Sequence, residues 1–147
     1  MVDRTSKGRQ GAAFEVVVER GKVREFCRAL HADPSGYEGE TPTSPPTFLT
    51  TMFHWESEVE GANPWASVDM SQERGMHAEQ EYRFHGPPPR AGERLVAVSR
   101  IDDIWDKESR GGGRLTFVRM ITEFRCPDTG DLRAEAVLTG VERGEAT

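Results

Sequence analysis

From residue 76 onward the apolar residues of this chain recur at every second position, and no other feature restricts the fold as much. Met76, Ala78, Tyr82 and Phe84 alternate with His77, Glu79, Glu81, Arg83 and His85, the period of a strand with one buried and one solvated face. A turn at Pro87-Pro88-Pro89-Arg90-Ala91-Gly92 leads into a second strand over Leu95 to Trp105. A glycine tip at Gly111-Gly112-Gly113 leads into a third over Leu115 to Phe124, and Pro127-Asp128-Thr129-Gly130 turns the chain into a fourth, along which Leu132, Ala134, Ala136 and Leu138 alternate. Strands joined by such short turns form an antiparallel meander.

The first half of the chain has a different rhythm. Phe14-Glu15-Val16-Val17-Val18 is a β-branched run of strand character that Gly21 ends. Over Lys22 to Ala32, the residues Val23, Phe26, Cys27 and Leu30 fall at helical spacing and predict an amphipathic helix. Asp33 to Pro46 holds four prolines and two glycines and can continue neither helix nor strand. The next stretch, Pro45-Pro46-Thr47-Phe48-Leu49-Thr50-Thr51-Met52-Phe53-His54-Trp55, turns sharply apolar, with prolines where a first helical turn tolerates them; it predicts a mostly buried helix. Glu56 to Gly75 is a long connection in which Trp65 is expected to pack down as an anchor. Helices ahead of a meander predict an α+β domain whose antiparallel sheet wraps one buried helix. The expected boundaries are a mobile N-terminus over 1–13, one domain over 14–142 and a tail over 143–147.

Composition removes several function classes. At 147 residues one real core is expected. The chain has no apolar run long enough to span a bilayer, and Met1 to Gly11 carries Arg4, Lys7 and Arg9 without an apolar signal region, so a cytoplasmic location is expected. The net charge is −6 with the basic residues scattered among acidic ones, which argues against nucleic acid as a partner. Cys27 and Cys126 are far apart and read as reduced thiols. The histidines have no metal-ligand spacing, and neither a metal nor a cofactor is expected. The glycine triplet lacks the context of a phosphate loop, and no Gly-x-Ser-x-Gly elbow is present.

Several segments resemble a known family. Arg20-Gly21-Lys22-Val23-Arg24-Glu25-Phe26 opens the first helix and Pro45-Pro46-Thr47-Phe48 the second. Met76-His77-Ala78-Glu79-Gln80-Glu81-Tyr82 begins the meander, Pro89-Arg90-Ala91-Gly92-Glu93 forms its turn, and Thr129-Gly130-Asp131-Leu132 the last hairpin. In this order and spacing they resemble the N-terminal, FAS1-like dehydratase domains of the MaoC-type hot-dog hydratases, and in particular the non-catalytic subunits of mycobacterial (3R)-hydroxyacyl-thioester dehydratases. The resemblance implies a hot-dog fold and a dimer whose sheets continue across the interface. It also implies reversible hydration of an enoyl group held as a CoA or acyl-carrier-protein thioester. That chemistry needs a polarised carbonyl, a base and an acid. Backbone N–H groups at the start of the buried helix, those of Thr47 and Phe48, are the expected carbonyl donors.

The chain departs from the family at the catalytic loop. Catalytic members carry an Asp, then Asn-Pro, then a His just before the buried helix; here the loop reads His31-Ala32-Asp33-Pro34-Ser35-Gly36-Tyr37-Glu38-Gly39, with no histidine before His54. Asp33 is the candidate catalytic group of an incomplete dyad, against the plainer reading of a carboxylate that caps its own loop. His31 reads as a helix C-terminal cap and His54 as a core or interface histidine. His77 and Gln80 are candidate substrate-site residues, although alternation sets His77 and His85 on an outward polar face with Glu79, Glu81 and Arg83. Phe48, Met52, Phe53, Trp55 and Phe117 are expected to line the space between helix and sheet. The expected function is a subunit that supplies acyl pocket and dimer interface, as a homodimer or with a catalytic MaoC-type partner. The rivals are a hot-dog thioesterase using Glu56 or Asp33, a non-enzymatic acyl-binding homodimer, and the cone-shaped α+β barrel of some isomerases.

Overall fold

The structure is a computed structural model that describes residues 1–110 and 112–144; Gly111 of the expected glycine tip and Glu145 to Thr147 of the expected tail lie outside the described residues. Five strands, β1 (Phe14–Val17), β2 (Gly75–Phe84), β3 (Arg94–Glu108), β4 (Arg114–Arg125) and β5 (Leu132–Arg143), form one antiparallel sheet in the order β1-β3-β4-β5-β2. This is the α+β hot-dog arrangement, with the segment after the double proline lying in the sheet's concave face. The alternating side chains of the meander bury Leu95, Ala97, Phe124, Ala134 and Ala136 against Leu49, Phe14 and Val16. Side chains as large as Phe124 and Leu49, both essentially fully buried, each contribute about 1.5–3 kcal/mol on transfer from water.

Helix α1 (Arg20–Ala29) starts two residues earlier than periodicity predicts and stops sooner. Its end explains why. His31 takes a left-handed φ of 53° and donates its N–H to the Arg28 carbonyl, while the Ala32 N–H reaches the Cys27 carbonyl, a Schellman closure. Leu30 is thereby turned outward, and Val23 and Cys27 alone carry the buried stripe. Both cysteines are free, Cys27 buried and Cys126 half-buried.

The greatest difference from expectation is in the buried helix. Phe48–Met52 is a 3₁₀ run that passes into a single α-turn, α2 (Phe53–Glu56). Phe48, Leu49 and Glu56 are buried, but Thr47, Thr50, Phe53 and His54 are exposed, so one side alone is covered by this chain's sheet. The β-branched pair Thr50-Thr51 has poor helical propensity, and the 3₁₀ winding satisfies the Thr51 hydroxyl on the Phe48 carbonyl at 2.9 Å. Three register shifts among the described residues reshape the sheet, one of them near the end of β4 between Phe124 and Arg125. The one between Ile101 and Asp103 puts Ile101 and Ile104 on the same face, where both join a core with Val68, Val118 and Met120. The third lies between His77 and Glu79.

Residues 1–13, expected to be mobile, pack along β3. The Gly8 and Gly11 amides donate to the Ile101 and Ser99 carbonyls, Val2 and Ser6 are buried, and Arg4 and Lys7 pair with Asp106 and Asp103. Phe117 faces away from the helical segment, stacked on Trp105 at 5.3 Å, because strand parity sets it opposite to Val118 and Met120. Trp65 does anchor the long connection: it heads a 3₁₀ turn (Pro64–Val68) capped by the Asn63 side chain and packs over Gly140 of β5.

A Cβ at position 140 would stand 2.8 Å from two Trp65 ring atoms. Gly140→Ala is therefore expected to destabilise the fold by about 1–3 kcal/mol through overpacking, read as a lower urea midpoint at unchanged slope.

Candidate functional site

One cavity of about 520 Å³ stands between the helical segment and the second half of the sheet, inside the size range of small-molecule sites. Thr50, Met52, Phe53 and Glu56 line it from the helical side, Trp65 and Met70 from the long connection, and Gln80, Tyr82, Leu138 and Gly140 from β2 and β5. The connection is held over the sheet by Glu142, a buried carboxylate that accepts the Ser71 amide at 2.7 Å and faces Arg74 at 3.6 Å. The cavity opens beside β2, which lies at an edge of the sheet. Phe53 and Met76, 54% and 65% exposed, flank that opening.

The bulge at Ala78 assembles part of this wall. Strict alternation would set His77 with Glu79 and Glu81, but the register shift pairs His77 with Gly140 and Gln80 with Leu138. Opposed residues share a face, so His77 and Gln80 both line the cavity. The His77 Nε2 lies 3.0 Å from the Glu79 carbonyl, and the Gln80 amide donates to the Val137 carbonyl at 3.3 Å.

The other candidates lie elsewhere. Asp33 is exposed and caps a short 3₁₀ turn (Pro34–Tyr37), its Oδ1 accepting the Ser35 amide at 3.0 Å. That amide bond holds its carboxyl below the ordinary range. It borders a separate depression with Tyr37, Thr43 and Ser44, whose buried hydroxyl has no hydrogen-bond partner among the described residues. The Phe48 ring is buried with Val18, Val23 and Cys27, and its N–H already donates to the Pro45 carbonyl at 2.9 Å. Thr47 is exposed beside it and does not line the cavity. His54 is exposed, its ring tilted against Phe53 at 4.1 Å, and His85 pairs with Glu135 at 3.0 Å. Among the described residues no group of three His, Cys, Asp or Glu side chains is placed to hold a metal, and no helix is long and apolar enough to cross a membrane.

The residue the cavity adds is Glu56, 6% exposed. Sequence reasoning reached it as a carboxylate beside the helix, but the period of residues 47–55 gave no sign that it would turn inward. Ser99 of β3 donates to its Oε1 at 3.3 Å, and Ser99 is in turn 2.8 Å from the Thr122 hydroxyl of β4. Burial pushes the Glu56 carboxyl above its ordinary value, with the Ser99 bond opposing in part. A carboxyl so shifted keeps its proton to higher pH than an exposed one, the property a proton or hydrogen-bond donor needs.

The family described as the FAS1-like dehydratase domain region matches residues 6–126. A UPF0336 protein of Saccharopolyspora erythraea is 34% identical over 145 residues, covering 91% of this chain and 85% of that protein. Among solved structures, the ChsH1–ChsH2 complex of Mycobacterium tuberculosis matches with a TM-score of 0.64 at 15% identity, covering 97% of this chain and 85% of that one. A MaoC-like dehydratase of Phytophthora capsici matches at 0.73 and 16% identity, covering all of this chain and 51% of that one.

Because the folded state disfavours ionised Glu56, its upward shift lowers stability as pH rises from the unfolded carboxyl range through the folded one. Glu56→Gln is expected to remove that loss. The variant should melt about 2–4 °C above the parent at pH 8, corresponding to roughly 1 kcal/mol in a chain of this size, with the gap closing near pH 4, as followed by circular dichroism.

Proposed function

Since the chain belongs to the FAS1-like dehydratase-region family, we propose that it is a hot-dog subunit of a (3R)-hydroxyacyl-CoA or acyl-carrier-protein dehydratase, acting as an enoyl-thioester hydratase in the reverse direction. In this reading it supplies the acyl pocket and half of a dimer interface, and a related chain supplies the Asp/His pair. The observation that carries the reading is the apolar-walled cavity opening at the edge of β2. An acyl chain is the kind of ligand such walls take up, with a few polar groups to orient it.

The β2 edge supports the partnership. Its outer backbone groups find no neighbouring strand within the sheet order, and an open edge of ten residues is a template for another strand. A second hot-dog chain laid antiparallel there would also cover Phe53 and Met76. The ChsH1–ChsH2 structure is by its name a complex of two chains, and a heteromeric arrangement of this kind supplies what this chain lacks. Its loop aspartate, Asp33, is followed by no histidine before His54 and spends its hydrogen-bonding on Ser35.

Hydration itself would then use the partner's acid and base, while His77, Gln80 and the Tyr82 side chain orient the acyl group on this side. A hydrolytic reading is favoured by one observation, the buried carboxyl of Glu56 facing the cavity; release of free CoA from acyl-CoA by the pure chain would promote it. A cytoplasmic setting goes with the thioester substrate.

Native mass spectrometry of the complex from source cells is expected to show this chain bound to a second hot-dog chain that carries the Asp/His pair. The pure chain should hydrate crotonyl-CoA at least about a hundredfold more slowly than the complex, the scale on which acid and base groups act, and Asp33→Asn should leave the complex unaffected. Turnover by the isolated chain that Asp33→Asn abolishes would overturn the reading, and retained acyl-CoA binding without turnover under any pairing would replace it with a non-enzymatic acyl-binding dimer.

A further inference from the structure

The concave face of β3 and β4 is apolar except at one place. Ser99 and Thr122 face each other directly in the strand register, both fully buried, between the apolar pairs Ala97–Phe124 and Ile101–Met120. Two hydroxyls in such a row lose hydration and gain nothing over Ala and Val unless something needs them. Here they meet Glu56, which the 3₁₀ winding of the preceding residues turns inward. The three groups form a line from the sheet to the cavity wall.

In the polarity in which Ser99 donates its one hydroxyl hydrogen to Glu56 Oε1, Thr122 supplies the hydrogen between the two hydroxyls. Oε1 is then an acceptor, and the proton of a neutral carboxyl falls on Oε2. Oε2 has no hydrogen-bond partner among the described residues, and Glu56 lines the cavity. Of the residues around the cavity Glu56 is the acidic one, and among the described residues no lysine or arginine joins them to hold it ionised. Glu56 therefore presents an oriented O–H donor, backed by the Ser99–Thr122 relay, in a cavity whose hydroxyl-bearing residues are Thr50, Ser71 and Tyr82 and whose apolar wall includes four methionines, Trp65, Phe53 and Leu138.

We propose that Glu56 is the selectivity group of this cavity, donating a hydrogen bond from Oε2 to an oxygen substituent, hydroxyl or carbonyl, on the bound acyl chain. The inference rests on the acyl-thioester reading above and adds the class of acyl group. A plain saturated chain leaves the donor unpaired, and a site with a buried unpaired donor discriminates against such a ligand more strongly than apolar fit alone would. The oxygen can lie next to the thioester, as in a 3-hydroxyacyl group, or at the far end of the chain, and both present the same chemistry to Glu56.

The test is calorimetric titration of the full chain, in the oligomer it forms, with octanoyl-CoA, 3-hydroxyoctanoyl-CoA and 8-hydroxyoctanoyl-CoA. One of the two hydroxylated thioesters is expected to bind about three- to tenfold more tightly than octanoyl-CoA, the worth of one buried hydrogen bond, and which one locates the oxygen. Glu56→Met is expected to erase that preference while retaining octanoyl-CoA affinity, and Glu56→Gln, whose amide still donates, to keep part of it. Ser99→Ala, the smaller perturbation should the Met variant not fold, is expected to weaken the preference by freeing Oε1. Equal affinities for all three ligands in the parent would overturn the inference and leave the acyl-thioester reading intact. Failure of all three to bind would remove both. A preference unchanged in the variants, or octanoyl-CoA hydrolysis that Glu56→Gln abolishes, would also overturn the inference, the second by making Glu56 a hydrolytic base.

Discussion

The burial of Leu49 against the concave face of the sheet is the contact on which the rest of the molecule depends. Leu49 meets Phe124, Leu95 and the small residues Ala97, Ala134 and Ala136, and the alanines give the curved sheet room to close around a helical segment. With Leu49 seated, Phe48 is carried into the pocket formed with α1, and Glu56, two turns on, is carried to the wall of the cavity. The opposite side of the same segment, bearing Phe53 and His54, is left outward. One packing decision thus divides a short segment into a core side, a cavity side and a side awaiting cover.

Most of the architecture was legible because its signal is periodic. The meander, its turns and the amphipathic stripe of α1 each repeat a residue type at a fixed interval, and intervals survive without knowledge of neighbours. What was not legible is aperiodic. A bulge inserts one residue and reverses parity, so alternation alone sets His77 on the outer face, whereas the structure turns it toward the cavity with Gln80. Residues 1–13 carry no apolar pattern, and their attachment comes from backbone amides and two ion pairs with β3, which composition does not record. The helical segment was overestimated because apolar content was read as burial on all sides.

The site follows the same division. Of the residues singled out from sequence, His77 and Gln80 come together at one cavity, whereas Asp33, Thr47 and Phe48 lie away from it. Glu56 was recognisable as a carboxylate in the right region, but its partner Ser99 lies 43 residues further along the chain and Thr122 another 23 beyond that. Buried polar lines of this sort are set by strand register and have no local signature.

The two margins of the sheet are treated unequally. On one side β1 is only four residues long, and the backbone of residues 8–11 continues along β3 from Ser99 to Ile101, past the stretch that β1 pairs. On the other, β2 runs unobstructed for ten residues. A sheet open at both margins can polymerise into a filament, but a sheet open at one can only join once, because each union consumes the sole long margin that either chain possesses. The N-terminal lacing therefore leaves β2 as the long uncovered margin among the described residues, and a chain added strand to strand would meet the sheet there.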